Sequence, residues 1–167
     1  MIYANILLGN NVEIDTTTSV NNVILKDNVK IAKYCSVFGS KECPLIIGEG
    51  TYVGMHTILN GYAAPLIIGS HVSFAQNVNV MVDSGPNASE VLQRVFPIER
   101  KEVRIGDHSW IGASAVIMPG VHLGKFCVVG ANSFVTESFP DYSIIGGSPA
   151  RLIRMLSANE LVLLDHD

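Results

Sequence analysis

Few side chains in this sequence have the type and spacing that catalysis or metal binding needs. The cysteines Cys35, Cys43 and Cys127 show no C-x-x-C spacing, which favours reduced core thiols in a cytoplasmic protein over a disulfide framework. A zinc-type site needs three or four converging ligands, and no histidine occurs from residue 82 to residue 104. We therefore predict no metal site. Asp83, at the start of a long irregular segment, is the first candidate for a proton acceptor.

The elements that position such groups repeat every six residues. From Ile105 to Val135 every sixth residue is aliphatic, and glycine follows it in four of the five complete hexads. This period fits neither a helix nor a two-faced strand. It fits a short strand followed by a tight corner, where one aliphatic side chain points inward and a small residue lets the chain turn. Three such sides close one coil, and stacked coils form a parallel β-helix.

The spacing of the coils locates the insertions. Coils begin at Leu8, Leu25, Ile47, Ile68, Ile105 and Leu123. Small corner loops are predicted at 41–44 and 61–65, and one large excursion at about 83–102. Its apolar residues at 91, 92, 95 and 96 have helix-like spacing. We expect them to pack on a neighbouring surface, either as an arm that reaches another subunit or as a locally packed excursion without a function.

Composition limits the partners. Hydrophobic residues make up 48% of the chain and the mean hydropathy is +0.33, yet no apolar run has the roughly 18 residues of a membrane span. The surplus is expected in stacked aliphatic columns and a buried subunit interface. A net charge of −4 argues against a nucleic-acid partner. Residues 1–5 have no basic start or long apolar core, which predicts no signal peptide and a cytoplasmic location.

Three segments carry a family resemblance. Residues 105–121, 129–136 and 147–154 read IGDHSWIGASAVIMPGV, VGANSFVT and GSPARLIR. They resemble the hexapeptide-repeat acyltransferases, in the branch that includes maltose and galactoside O-acetyltransferases and capsule and O-antigen sugar acetyltransferases. The resemblance implies an all-β, left-handed parallel β-helix over residues 1–137, followed by an irregular cover and a short helix over 138–167. A capping box, Ser157 to Glu160, is predicted to begin that helix.

The resemblance also implies a function. It implies a homotrimer with sites between adjacent subunits, acetyl-CoA as the donor, and a sugar or sugar nucleotide of surface-polysaccharide biosynthesis as the acceptor. The implied CoA-binding residues are Ala113, Ala131, Thr136, Arg151 and Arg154. The implied acceptor-binding residues are Tyr52, His56, Asn60, Tyr62, Ser84 and Gly85. Corner packing is the alternative for most of these, and two solvated arginines for the basic pair. His71, His108, His122 and His166 are expected to lack a catalytic role.

Two departures from the family pattern affect the mechanism. The position of the family's catalytic histidine is Gly85, and Glu137 stands where a lysine is common. A hydroxyl acceptor needs a base, whereas an amine with a pKa near 8 is partly neutral at physiological pH. The missing histidine therefore favours an amine acceptor or an unusual base. Asp83 is the candidate catalytic residue, and an Asx turn is its structural alternative.

Two other functions remain. A γ-class carbonic anhydrase-like metalloenzyme on the same architecture would need three histidine ligands, and the loop region has none. A non-catalytic β-helix that acts as an assembly or regulatory subunit is the second alternative.

Overall fold

The aliphatic residues of the hexads point inward and stack in three columns, as the repeat predicts. The computed structural model describes residues 4–164. Short parallel strands form three faces, and β3 (Ser19–Leu25) runs around the corner from face 3 to face 1. Face 1 also contains β1 (Ala4–Leu8), β6 (Leu45–Ile47), β9 (Leu66–Ile68), β14 (Val103–Ile105) and β17 (His122–Leu123). Face 2 contains β2 (Glu13–Ile14), β4 (Lys30–Ile31), β7 (Tyr52–Val53), β10 (Ser73–Phe74), β15 (Trp110–Ile111), β18 (Val128–Val129) and β20 (Ser143–Gly147). Face 3 also contains β5 (Ser36–Gly39), β8 (Ile58–Gly61), β11 (Asn79–Met81), β16 (Val116–Ile117) and β19 (Phe134–Val135).

Strand register places each hexad column in the core. On face 1, Leu25 pairs with Ile47, Ile47 with Ile68, and Ile68 with Ile105. The residues of these columns are almost fully buried from the second coil onward, so each contributes about 1.5–3 kcal/mol by leaving water. The predicted coil starts are therefore confirmed. The parallel β-helix has one continuous core.

The hexad glycines have a different role from the one predicted. A Cβ on Gly106 would lie 2.4 Å from the carbonyl carbon of Gly124, one coil away. Only a glycine allows that approach, and the residue that turns the corner comes two positions later. His108 has a φ of 57° there, and His71 has 54° at the equivalent position. The left-handed conformation is thus carried mainly by histidine, asparagine and aromatic residues, and by Ser114, Gly50 and Gly120 at three corners.

The side chains at these left-handed corners stack on one another. His108 lies between His71 and Phe126, with ring centroids 5.0 and 4.8 Å away, and Tyr142 continues the stack. His56 stacks on Tyr34 at the neighbouring corner. His56, His71 and His108 are exposed, and each has at least one ring face covered by a stacking partner.

The three insertions emerge at the same corner, between face 3 and face 1. The long loop is an antiparallel ribbon of β12 (Asp83–Ser84) and β13 (Glu99–Arg100), with the one-turn helix α1 (Glu90–Gln93) at its far end. Val91, Val95 and Phe96 are 62–70% exposed. The described part of its own chain therefore leaves most of the apolar stripe exposed, although Leu92 is only 45% exposed. The choice between an arm that reaches another subunit and a locally packed excursion stays a prediction.

The end of the chain is more regular than predicted. In place of an irregular cover, β20 adds a strand to face 2, and β21 (Ala150–Met155) folds back on it antiparallel. This hairpin pairs the edge that β18 would otherwise expose. The capping box is confirmed. The Glu160 N–H donates to Ser157 Oγ at 3.3 Å and the Ser157 N–H to Glu160 Oε2 at 2.7 Å, at the start of α2 (Ala158–Leu164).

The cysteines are free, as expected. Cys35 and Cys127 are buried in the core, and burial raises the pKa of both thiols. Cys43 lies in a corner loop and is partly exposed, so the prediction of a core thiol is wrong there. In residues 4–164, no helix has the length and apolar character to cross a membrane. His166, for which no catalytic role was expected, lies outside the described residues.

Candidate functional site

Asn60 and Asp83, two predicted site residues, meet at the root of the long loop. Asn60 lies on face 3, in the coil below the one from which the loop leaves. Its Nδ2 donates to Asp83 Oδ1 at 3.0 Å, and its Oδ1 accepts the Tyr62 N–H at 3.0 Å. The amide is thus held at both ends, which fixes its orientation. In the described chain, nothing donates to Asp83 Oδ2, so this oxygen can accept a hydrogen bond from a substrate.

The position of the family's histidine has no space for a side chain. A Cβ on Gly85 would lie 2.8 Å from the Cα of Ile98 and 3.0 Å from its Cγ1. Because the nearest atom belongs to the backbone, the ribbon would have to move to accept any larger residue. The absence of the histidine is therefore coupled to the packing of the loop.

Ser84 and Gly85 line an open cavity of about 290 Å³ on the other side of the ribbon. Neighbouring residues of a strand face opposite sides, so Ser84 faces the cavity while Asp83 faces Asn60. Four loop residues and one residue just past β16 complete its wall: Val95, Phe96, Pro97, Glu99 and Met118. The sequence reasoning missed this wall. A signal was present, because between Ile105 and Val135 the hexad with Met118 is the one complete hexad in which glycine does not follow the aliphatic residue.

The remaining acceptor candidates lie apart within the chain. Tyr52 is on face 2 and is 46% exposed, beside a groove of about 700 Å³ that also contains Glu13 and Lys30. His56 is at the corner between faces 2 and 3, stacked on Tyr34. The side chain of Tyr62 is 62% exposed, and its contact with Asn60 comes from its backbone. The structure therefore groups only Asn60, Tyr62 and the start of the loop.

Three of the predicted CoA-binding residues follow one another on the last two coils. Ala113 and Ala131 occupy equivalent corners, and the Asn132 N–H donates to the Ala113 carbonyl at 2.8 Å. No described group donates to the Ala131 carbonyl, because no further coil stacks above this corner. Thr136 is exposed just past β19. We call the surface formed by Ala113, Ala131 and Thr136 the donor line, after the acyl donor that it could bind. Its small side chains and its available carbonyl make it suitable for an extended chain that contains amide groups.

The two predicted arginines are engaged by glutamates. Arg151 Nη1 lies 2.8 Å from Glu137 Oε1, and both side chains are more than half exposed. Arg154 donates to both carboxylate oxygens of Glu160 at 2.7 and 2.9 Å. The hydrogen bonds from Arg154 and Ser157 lower the pKa of Glu160 to about 2. Glu137, which departs from the family pattern, is thus paired with Arg151. Arg154 instead anchors the first turn of α2 through Glu160.

A metal site was not expected, and across residues 4–164 no group of three or more histidine, cysteine, aspartate or glutamate side chains is arranged to hold an ion. The site therefore consists of a carboxylate fixed by an amide, an open cavity lined by polar and apolar residues, and the donor line. Such an arrangement can orient a nucleophile against an acyl group.

Comparison with known proteins supports this interpretation of the architecture. Residues 102–137 match the family model described as the hexapeptide repeat of succinyl-transferase. A galactoside O-acetyltransferase from Lactococcus lactis is 30% identical over 129 residues, which are 77% of this chain and 60% of that protein. The chain spans about three fifths of the length of the curated relatives it matches first, with shares of 60%, 62% and 59%.

Two solved structures extend the comparison. A variant of AntD, an N-acyltransferase from Bacillus cereus, is 25% identical with a TM-score of 0.80, covering 95% of this chain and 87% of that one. It was solved in complex with dTDP-4-amino-4,6-dideoxyglucose and coenzyme A. The hexapeptide-repeat acetyltransferase VCA0836 from Vibrio cholerae is 26% identical with a TM-score of 0.64, covering 90% of this chain and 74% of that one. The chain is thus a hexapeptide-repeat protein with the left-handed parallel β-helix fold, similar in sequence and structure to CoA-dependent acyltransferases.

Proposed function

We propose that this protein transfers an acyl group from an acyl-CoA, such as acetyl-CoA, to the amino group of a sugar or sugar nucleotide. The observation that carries the proposal is the Asn60–Asp83 hydrogen bond at the loop root, beside a position where no histidine fits. The similarity to galactoside O-acetyltransferase and AntD supports the reaction class. A role in surface-polysaccharide biosynthesis and a cytoplasmic location, where acyl-CoA is available, belong to the same proposal.

The carboxylate of Asp83 suits an amine. A protonated amine can donate to the available Asp83 oxygen. This charge-assisted hydrogen bond holds the acceptor, and the Asp83 carboxylate receives one proton from it. The neutral nitrogen then attacks the thioester carbonyl, the C–S bond breaks, and the CoA sulfur leaves as a thiolate that takes up the second proton of the nitrogen, while Asp83 returns the first proton to solvent. Asn60 acts as a positioning residue, because it fixes the carboxylate in one orientation.

The donor line would hold the acyl-CoA. Ala113 and Ala131 leave room for the pantetheine chain to lie against the backbone, and the Ala131 carbonyl can accept one of its amide N–H groups. Thr136 lies at the end nearer the loop corner, and Arg151 and Arg154 would face the nucleotide phosphates. Tyr52, His56 and the Tyr62 side chain would contact the acceptor across a subunit boundary. We propose a homotrimer, supported by the exposed loop residues Val91, Val95 and Phe96.

A thiol-release assay tests the proposal. Wild-type protein with acetyl-CoA should release free CoA with amino sugars or their nucleotide-linked forms, and not with the matching hydroxyl sugars. Asp83→Asn should lower kcat by about 10²-fold or more while CoA binding persists, because general base catalysis contributes about 10²–10⁴-fold. Glu90→Gln, the same carboxylate-to-amide change in the same loop, should leave turnover unchanged.

The outcomes separate the alternatives. Turnover that survives Asp83→Asn would reject Asp83 as the base and leave positioning alone as the mechanism. Transfer to hydroxyl sugars only would reject the amine acceptor. CoA binding without turnover of any acceptor would favour a non-catalytic assembly or regulatory subunit.

A further inference from the structure

We propose that Arg100 binds an anionic group of the acceptor, a phosphate or a carboxylate that lies close to the acceptor amine. The inference rests on the proposed function for the position of the amine at Asp83, and it adds the class of acceptor. It is carried by the pairing of the two strands of the ribbon and by the charges around Asp83.

The ribbon places the Arg100 side chain beside Asp83. The two residues are directly opposite each other in the antiparallel pair of β12 and β13. Val82 and Lys101 form a hydrogen-bonded pair, in which the Lys101 N–H donates to the Val82 carbonyl at 2.9 Å. The next pair, Asp83 and Arg100, is therefore a non-hydrogen-bonded one. The Cα atoms of such a pair are about 4.5 Å apart, and their side chains leave the ribbon on the same side.

The neighbouring pair of the ribbon shows which side this is. Ser84 and Glu99 are opposite each other, and both line the cavity on the far side of the ribbon. Because successive side chains of a strand alternate, Asp83 and Arg100 face the opposite side, toward Asn60, whose amide holds the Asp83 carboxylate. Arg100 therefore belongs to the loop root where the amine is proposed to bind.

The guanidinium of Arg100 is available to a ligand. The chain has five arginines, and three of them are paired with glutamates: Arg104, Arg151 and Arg154. Arg100 is exposed, and among residues 4–164 its side chain has no ion-pair or hydrogen-bond partner. The same holds for Arg94, which lies at the far end of the loop. Arg100 is thus an unpaired cation at the site.

The charges around Asp83 favour an anionic acceptor. The Asp83 carboxylate and the Arg100 guanidinium balance each other before the acceptor binds. A protonated amine that donates to Asp83 adds a second positive charge close to Arg100, and like charges at short distance repel each other. An anionic group on the acceptor pairs with Arg100 and removes this repulsion. The planar fork of a guanidinium matches the paired oxygens of a phosphate or a carboxylate.

The expected preference follows from the strength of such a contact. An amino sugar that carries the anion should bind about 10-fold more tightly than its neutral form, because a hydrogen bond to a charged group contributes about this much or more. Arg100→Gln should reduce the preference to below about threefold, because a neutral amide contributes less. Arg100→Lys keeps the charge without the fork and should retain part of the preference. Arg94→Gln is the matched control, since it makes the same change at another exposed, unpaired arginine of the same loop.

The experiment uses two readouts. Calorimetric titration without acyl-CoA measures binding of glucosamine, glucosamine 1-phosphate and glucosaminuronic acid, and of the same three forms of a 4-amino-4-deoxyhexose. The phosphate and carboxylate arms show which anion the site accepts. Thiol release from acetyl-CoA with the same probes measures the preference in kcat/KM.

The outcomes separate the anion site from the reaction. Tighter binding of an anionic form that is lost in Arg100→Gln and kept in Arg94→Gln supports the inference. Equal binding of neutral and anionic forms, a preference that survives Arg100→Gln, or no binding of any anionic form overturns it. If an anionic form binds through Arg100 and no acyl group is transferred, the proposed reaction fails and the anion site stands. If neutral amino sugars are acylated as efficiently as the anionic ones, the proposed reaction stands and the anion site fails.

Discussion

Substituting Gly106 by alanine tests whether the hexad glycines serve coil stacking or chain turning. Gly106 follows the core residue Ile105, and its Cβ would lie 2.4 Å from the carbonyl carbon and 2.5 Å from the carbonyl oxygen of Gly124. Both atoms are backbone of the next coil, so they cannot rotate away. Gly146 follows the core residue Ile145 at the equivalent hexad position in the last coil. Its added Cβ would meet two side-chain atoms, the Cδ1 of Ile153 at 3.1 Å and the Oγ of Ser133 at 3.8 Å.

The expected magnitudes differ because the neighbours differ. Overpacking costs about 1–3 kcal/mol, and a rigid backbone contact puts Gly106→Ala near 3 kcal/mol. For a chain of this size 1 kcal/mol corresponds to about 2–4 °C in Tm, so Tm should fall by roughly 6–12 °C. Gly146→Ala asks one flexible side chain to shift, and the lower entropy of the unfolded chain offsets part of that by about 0.4–1 kcal/mol. Its Tm should stay within about 2 °C of the wild-type value.

Differential scanning calorimetry of both variants against the wild-type protein provides the measurement. Neither glycine has a positive φ, so local backbone preference does not distinguish them. Equal losses in Tm for the two variants would refute the stacking explanation and show that the hexad requires glycine for its own conformation.

Three further predictions follow from the ion pairs and the corner stack. Glu160 has a folded pKa near 2, lowered from 4.5. Its stabilisation of α2 is therefore present above about pH 4.5 and is lost as the pH falls toward 2. Amide hydrogen exchange in α2 should accelerate over that pH range, and Ser157→Ala should weaken this pH dependence. Glu137→Gln should release Arg151 and lower the KM for acyl-CoA by no more than about fivefold, because an exposed ion pair contributes about 0.2–1 kcal/mol. A change in KM that is equally large at high salt would contradict this account. His108→Ala should lower stability by about 1–3 kcal/mol through the loss of two ring contacts with kcat unchanged, and a selective loss of kcat would contradict its structural role.

The sequence alone determined the repeating part of the fold. An inward-pointing apolar residue at every sixth position was enough to predict the coil starts at Leu25, Ile47, Ile68 and Ile105. Each inward position depends only on the few residues around it, and the pattern repeats. It also located the three insertions, since an insertion shifts the period without hiding it. The capping box at Ser157 and Glu160 was predictable for the same reason, because its partners are three residues apart.

Only the tertiary structure decided what lies next to what across coils. The clash that reserves Gly106 for glycine comes from a residue 18 positions later, and the Asn60–Asp83 hydrogen bond spans 23 positions. Gly85 was visible in the sequence as a missing histidine, but its contact with Ile98 depends on how the ribbon closes. The irregular cover predicted for the C-terminal segment proved to be a β-hairpin. The unpaired backbone N–H and C=O groups at the edge of β18 form hydrogen bonds with β20, and no local sequence pattern indicates this pairing. Contacts within a hexad follow from the order of residues, whereas contacts between coils and across the loop depend on where the folded backbone brings distant residues together.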